Sequence, residues 1–250
     1  MSIATSSQSP AGGRPILTQT DLQNHQVGTG GQDIIWAPLY DSNAWPSAGV
    51  ASGGLLFFAA QKGQGTSSAP GAGAVAKTIF DTNLTLGGQL GMGNDFYVIG
   101  VEMPVYPGVT NSTTTPFGLY PGIGGQAPAS TGFFVNDLWN ILCQGFVTFA
   151  VGTDRNFVQD GPLINFPPTV GLDIAAALAE IGPSSTSTGV GNAIVYGRGC
   201  GEPYTIVPVY LQATQQFTFV VTTAAVIALP SSIAARIQAR LRGYLIRQVT

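Results

Sequence analysis

From residue 32 onward, short runs of apolar and β-branched residues alternate along the chain with stretches rich in Gly, Pro, Asn and Ser. Runs of this length and composition, bounded by turn residues, are typical of β-strands. The pattern as a whole predicts roughly 12 to 15 short strands and one or two helices, which indicates an all-β sandwich or barrel. The clearest predicted strands cover residues 33–39, 54–60, 77–82, 96–106, 145–151, 163–166, 204–211, 217–226 and 233–249.

The last of these segments has the most regular periodicity. Apolar or small residues occupy every second position from Ile233 to Leu245, and polar residues fill most positions between them. A period of two predicts a strand with one buried face. Because four of the apolar residues are also spaced by four, a helix is the alternative, although Gly243 interrupts its apolar stripe.

Two segments have helical character. Residues 135–142 form the first, with Asn136 or Asp137 as the expected N-cap, because either side chain can accept hydrogen bonds from the first turn. Residues 172–181 are rich in Ala and Leu and are followed by Gly-Pro, so they form the second predicted helix.

Two further segments carry no strand pattern. Residues 1–30 are polar and are expected to form a loose N-terminal arm. Residues 107–132 are rich in Gly, Pro and Thr and contain no charged residue, so they predict either an interdomain linker or one long surface loop.

Charged residues are scarce throughout the 250-residue chain. They make up 8% of it, against roughly 25% in an average soluble domain. A folded monomer of this mass exposes about 10,000 Å², so the surface carries on the order of one charge per 500 Å². Such a surface favours association with copies of the same chain. No apolar run reaches the roughly 18 residues of a membrane helix, and the N-terminal stretch lacks the apolar core of a signal peptide.

Reactive side chains are equally scarce. The single histidine, His25, lies in the polar arm and is expected to be exposed to solvent rather than to act as a base. Cys143 and Cys200 lack metal-ligand spacing, and they predict buried free thiols, with a single bridge as the alternative. The glycines of 87–93 predict a turn rather than a phosphate cradle. We therefore expect no catalytic, cofactor-binding or metal-binding residues, no cofactor and no enzymatic activity.

Basic residues are concentrated near the C-terminus. Between residues 1 and 61 the only one is Arg14, so no basic arm is available for direct nucleic acid contact. Arg236, Arg240 and Arg242 are spaced to form one basic stripe. This stripe is a candidate surface for anionic lipid headgroups or a partner protein, and the alternative is a solvated or salt-bridged face.

Three groups of segments carry a resemblance to a known family. They cover residues 77–101, 162–167 and 201–249 and include Gly87-Gly88-Gln89-Leu90, Pro162-Leu163-Ile164-Asn165-Phe166-Pro167 and Gly201-Glu202-Pro203-Tyr204. In these segments the chain resembles the jelly-roll major capsid proteins of tailless icosahedral bacteriophages, which often enclose an internal membrane.

The resemblance implies a structural protein of the virion capsid, made in the host cytoplasm. It implies self-assembly into trimeric or pseudo-hexameric capsomers, with vertex proteins and an internal membrane as further candidate partners. The expected fold is an all-β jelly-roll sandwich with two small jelly rolls in tandem, at 31–125 and 126–250, after an arm at 1–30. One jelly roll with long loops is the alternative.

Two other functions are alternatives to a capsid role. A β-sandwich binding module, such as a spike, an adhesin or a lectin-like domain, is the second hypothesis, because Trp36, Trp45 and Trp139 could stack on sugars. Core packing or subunit contact is the favoured role for these tryptophans. A hydrolase is the third hypothesis, and the lack of a nucleophile motif argues against it.

Overall fold

The computed structural model describes residues 32–68, 74–106, 129–152, 156–166, 204–230 and 232–248. In these ranges it contains nine strands, one α-helix and one 3-10 turn, at Leu163–Asn165. The helix, α1, is Ala129–Gln144, and the strands are β1 (Gln32–Trp45), β2 (Leu55–Phe57), β3 (Asn94–Glu102), β4 (Val105–Tyr106), β5 (Gly145–Val151), β6 (Asn156–Pro162), β7 (Tyr204–Leu211), β8 (Phe217–Thr223) and β9 (Ala235–Gln248).

The strands form two sheets whose described pairings are all antiparallel. The larger sheet has the order β1-β9-β3-β7, with the short β4 also paired to β9, and the smaller sheet has the order β2-β8-β5-β6. Residues from both sheets contribute to one hydrophobic core, in which Phe149, Phe217 and Phe219 of the smaller sheet belong to the same cluster as Leu39 and Leu241 of the larger. The predicted all-β fold class is confirmed.

The expected division between residues 125 and 126 does not follow the strand pairing. Strand β1 pairs along its whole length with β9, β2 pairs with β8, and β3 pairs with both β7 and β9. Each sheet thus contains strands from both halves of the chain. Among the described strands, the two halves of the chain therefore interleave in one sandwich, because each early strand takes its partner from the second half.

Strand β9 is the central strand of the larger sheet. Its odd-numbered residues Ala235, Ile237, Ala239 and Leu241 are fully buried in the core, which confirms the period-two strand prediction over the helical alternative. A Cβ atom at Gly243 would overlap the Tyr97 carbonyl oxygen of β3, so only glycine allows β9 to approach β3 this closely.

Two predicted strands, at 77–82 and 163–166, are wrong, and the structure has a turn in each place. At 77–82, the Asp81 amide donates to the Thr78 carbonyl and the Asp81 carboxylate accepts from the Thr78 amide, so the segment closes into a turn. At 163–166, Leu163 and Phe166 are both buried. Their spacing of three suits the 3-10 turn that the structure contains there.

The first predicted helix is confirmed but starts earlier than expected. Helix α1 begins at Ala129, so Asn136 and Asp137 lie inside it and neither is its N-cap. It buries Leu138, Ile141 and Leu142. Spacings of three and four place these side chains on one face. The helix predicted at 172–181, the arm at 1–30 and most of 107–132 lie outside the described residues.

Candidate functional surfaces

The outer face of the larger sheet carries a row of four aromatic side chains. Trp36, Tyr244, Tyr97 and Tyr210 lie directly opposite one another in register across β1, β9, β3 and β7. The Trp36 and Tyr244 rings meet edge to face with centroids 5.0 Å apart, a favourable aromatic geometry. The Tyr210 hydroxyl donates to Asp95 at 2.6 Å. Burial, this hydrogen bond and the charge of Asp95 together raise the pKa of Tyr210.

A buried carboxylate lies on the same face among the predicted arginines. Glu102 of β3 is fully buried and accepts from Arg242 Nε at 2.7 Å. A second Arg242 nitrogen donates to the other Glu102 oxygen at 3.4 Å, so the pair is bidentate. Arg240 lies 3.8 Å from Glu102 and also donates to Tyr106 at 3.3 Å. One carboxylate therefore offsets part of the charge of two arginines.

The third predicted arginine, Arg236, holds a loop against the sheet. It donates to the Phe80 carbonyl oxygen and to the Ser42 hydroxyl, and it lies 3.9 Å from the Asp81 carboxylate. The structure thus places Arg236, Arg240 and Arg242 on one face of β9, as their spacing predicts. Each has a carboxylate within 4 Å, so the salt-bridged interpretation describes the stripe.

Asp81 organises the loop that Arg236 contacts. Its buried carboxylate accepts from the Ser67 hydroxyl at 2.7 Å, the Ser68 amide at 2.9 Å and the Thr78 amide at 3.0 Å. Burial alone would raise the pKa of Asp81. These hydrogen bonds and the charge of Arg236 outweigh burial and hold the pKa below its ordinary value. Asp81 is therefore an ionised anchor at neutral pH.

The anchored turn presents two apolar side chains to solvent, which we call the loop tip (Ile79 and Phe80). Ile79 is 57% exposed and Phe80 is 73% exposed. The Tyr40 hydroxyl donates to the Ile79 carbonyl oxygen, and Arg236 to that of Phe80. Sequence reasoning missed the loop tip because it interpreted 77–82 as a strand; Thr78 and Asp81, spaced three apart, were the available turn signal.

The outer face of the smaller sheet is apolar and rich in hydroxyl groups. Leu56, Val220 and Thr148 lie in register across β2, β8 and β5, and Phe146 lies opposite Thr222 in the next row. Leu56 and Phe146 are exposed, and none of the three strands contains a charged residue. The sequence signal for this face is the alternation of inward-facing and outward-facing residues within β5 and β8. In the sequence, this alternation predicts strands but does not identify the outward-facing residues as a surface.

The remaining candidate residues are dispersed. Trp45 is buried in the core, whereas Trp139 is exposed on α1. Cys143 is an exposed free thiol, which corrects the expectation that it is buried, while Cys200 and His25 lie outside the described residues. Within the described ranges, no group of three metal-ligating side chains occurs, and no helix has the length and apolarity to cross a membrane.

Comparison of the chain with family models, curated proteins and solved structures gave no match.

Proposed function

We propose that this protein is a non-enzymatic virion protein, the major capsid subunit of a tailless icosahedral bacteriophage. One observation carries the proposal: the described surface is apolar to a degree that suits burial against other subunits. Fourteen large apolar side chains are exposed in the described ranges of a chain with 8% charged residues. Some of them are neighbours, as at Ile79–Phe80 and Val226–Ile227, and exposed apolar residues that cluster mark interaction sites.

Strand order supports a jelly-roll architecture for the subunit. If β3 and β4 are counted as one interrupted strand, the subunit has eight strands. The first pairs with the last (β1 with β9), the second with the seventh (β2 with β8), the third with the sixth (β3 with β7), and the fourth with the fifth (β5 with β6). A long hairpin wound in this way gives two four-stranded sheets, the arrangement of jelly-roll capsid and lectin domains. It favours the single jelly roll with long loops over two in tandem.

Three surfaces are proposed to make subunit contacts. The aromatic row and the arginines of the larger sheet have the residue types that are enriched at protein interfaces. The loop tip and the outer face of β2, β8 and β5 contribute apolar area without the desolvation cost of buried charges, and the exposed Asp160 of β6 lies at the edge of that face, opposite Thr148. Because Arg236, Arg240 and Arg242 already have carboxylate partners, the stripe fits a protein partner better than a lipid surface.

The proposed location and partners follow from the resemblance of the sequence to jelly-roll capsid proteins. The subunit forms trimeric or pseudo-hexameric capsomers in the host cytoplasm and in the virion capsid, next to vertex proteins and above an internal membrane. No direct contact with nucleic acid is proposed.

Light scattering coupled to size-exclusion chromatography, followed by electron microscopy, tests the proposal. Purified full-length protein should elute as trimers or larger assemblies at micromolar concentration and should form shells or capsomers on grids. A monodisperse monomer across this concentration range would refute the proposed self-assembly.

The aromatic row favours a second candidate function, that of a carbohydrate-binding module. Four aromatic residues in line across a sheet offer a platform on which sugar rings could stack. A glycan array should then show selective binding that Trp36→Ala abolishes, while Trp139→Ala, a change at an exposed tryptophan outside the row, retains it. An array that shows no selective binding would refute the carbohydrate-binding function and leave the capsid proposal.

A further inference from the structure

A lysine, a carboxylate and an amide meet in the interior beside β1. Lys77 Nζ lies 2.8 and 2.9 Å from the two carboxylate oxygens of Asp41 and 2.9 Å from Asn43 Oδ1. Lys77 is 4% exposed and Asp41 is fully buried. Asp41 and Asn43 are two residues apart on one strand, so both side chains project from the same face.

Asp41 is positioned to take a proton from Lys77, because both of its carboxylate oxygens lie within 2.9 Å of Nζ. A buried ammonium–carboxylate pair has lost the hydration that stabilises its charges, so passing the proton from nitrogen to oxygen costs less here than in water. Burial raises the pKa of Asp41, although the charge and hydrogen bond of Lys77 and the Phe58 amide oppose that rise. A neutral lysine amine is a nucleophile, whereas the ammonium ion is not.

We propose that Lys77 and Asn43 join through an intramolecular amide bond between their side chains. The Lys77 ammonium passes a proton to Asp41, and the neutral nitrogen attacks Asn43 Cγ. The new Nζ–Cγ bond forms, and Asp41 gives its proton to the Asn43 nitrogen as the Cγ–Nδ2 bond breaks and ammonia leaves. The second Nζ proton then passes to Asp41, which ends as the neutral acid beside the new amide. The reaction is redox-neutral and consumes no co-reactant.

The orientation of Asn43 suits this exchange. Its Oδ1 lies 2.9 Å from Lys77 Nζ, so the attacking nitrogen is next to the amide carbonyl group. Its Nδ2 donates to the Leu56 carbonyl oxygen at 2.9 Å on the solvent-exposed side, where ammonia can depart. The bond would tie the segment between β2 and β3 to β1. It goes beyond the proposed capsid role and does not depend on self-assembly.

Intact-mass spectrometry of the full-length protein tests the proposal. The measured mass should lie below the mass calculated from the sequence by one ammonia molecule. Trypsin cannot cleave after an acylated lysine or between Arg14 and Pro15, so tandem spectrometry should identify one branched peptide that joins residues 1–62 to residues 63–155. A wild-type protein of full calculated mass would overturn the proposal.

Three variants locate the lost atoms. Asn43→Ala keeps the Lys77–Asp41 ion pair and should restore the full mass, as should Lys77→Arg. Asn165→Ala, a change at an exposed asparagine, should leave the deficit unchanged. If Lys77→Arg still lacks the mass of one ammonia molecule, the loss comes from cyclisation at an asparagine, and the proposal is overturned. A wild-type mass that is low by one water molecule would place the bond at Asp41 and would also overturn it. The wild-type mass and branched peptide decide the matter even if a variant fails to fold.

Discussion

Replacement of Asp81 by Asn tests whether one buried carboxylate organises the loop between β2 and β3. The carboxylate accepts hydrogen bonds through both oxygens, and two of its donors are the backbone amides of Ser68 and Thr78. An asparagine offers one oxygen and one NH₂ group. The hydroxyl of Ser67 can rotate to accept from that NH₂ group, but a backbone amide cannot, so either the buried amide of Ser68 or the part-buried amide of Thr78 loses its acceptor.

The expected cost follows from these contacts. An unsatisfied buried amide costs about 1–3 kcal/mol, and the charge-assisted bonds weaken as well, so Asp81→Asn should lower the free energy of unfolding by about 2–4 kcal/mol. For a domain of this size that is a fall of about 5–12 °C in Tm. Thermal melts followed by circular dichroism measure the change. Asp33→Asn, at an exposed pair with Arg247, should stay within about 0.5 kcal/mol of wild type.

The pH dependence of the same variant provides a second measurement. Because the folded-state pKa of Asp81 is lowered, its ionisation stabilises the fold above its unfolded pKa, near 3.9. That contribution is lost as the pH falls through the depressed folded value. The stability difference between wild type and Asp81→Asn should therefore be full at pH 7 and shrink below about pH 4. A variant as stable as wild type at pH 7, or a difference that does not change down to pH 3, would refute the reasoning.

Three further changes test other parts of the molecule. Phe80→Ser should raise the protein concentration at which light scattering detects assembly, without altering the monomer fold, because the side chain is exposed; an unchanged threshold would exclude the loop tip from subunit contacts. Gly243→Ala should destabilise the fold by about 2–4 kcal/mol in urea titrations, because the added methyl group overlaps the Tyr97 carbonyl oxygen. Glu102→Gln should cost about 2–3 kcal/mol, because two partly buried arginines lose their anion, and a change below 0.5 kcal/mol would contradict the ion-pair assignment.

Strand positions were largely predictable from the sequence, whereas strand partners were not. The alternation in β9 indicates which side of the strand meets the core, and burial of Ala235, Ile237, Ala239 and Leu241 bears this out. The same alternation contains no information on the neighbouring strand. Gln32 pairs with Gln248, and no local pattern could indicate that contact. The expectation of two tandem units arose from this limit.

The surfaces were predictable to a similar extent. The even spacing of Arg236, Arg240 and Arg242 places them on one side of a strand, but their partners lie far away in sequence. Glu102 precedes Arg242 by 140 residues, so whether the stripe is free or neutralised could not be deduced. The aromatic row depends in the same way on the register of four strands.

The position of β9 has a consequence for biosynthesis. This strand is the last of the described strands to leave the ribosome, yet it lies between β1 and β3 in the larger sheet. Until it emerges, β1 has no neighbour there, and its backbone donors and acceptors are open to other nascent chains. Sheets closed by contacts between distant residues form slowly. Closure of this sheet is therefore a late event in folding, during which a chaperone could protect the waiting edge from premature aggregation.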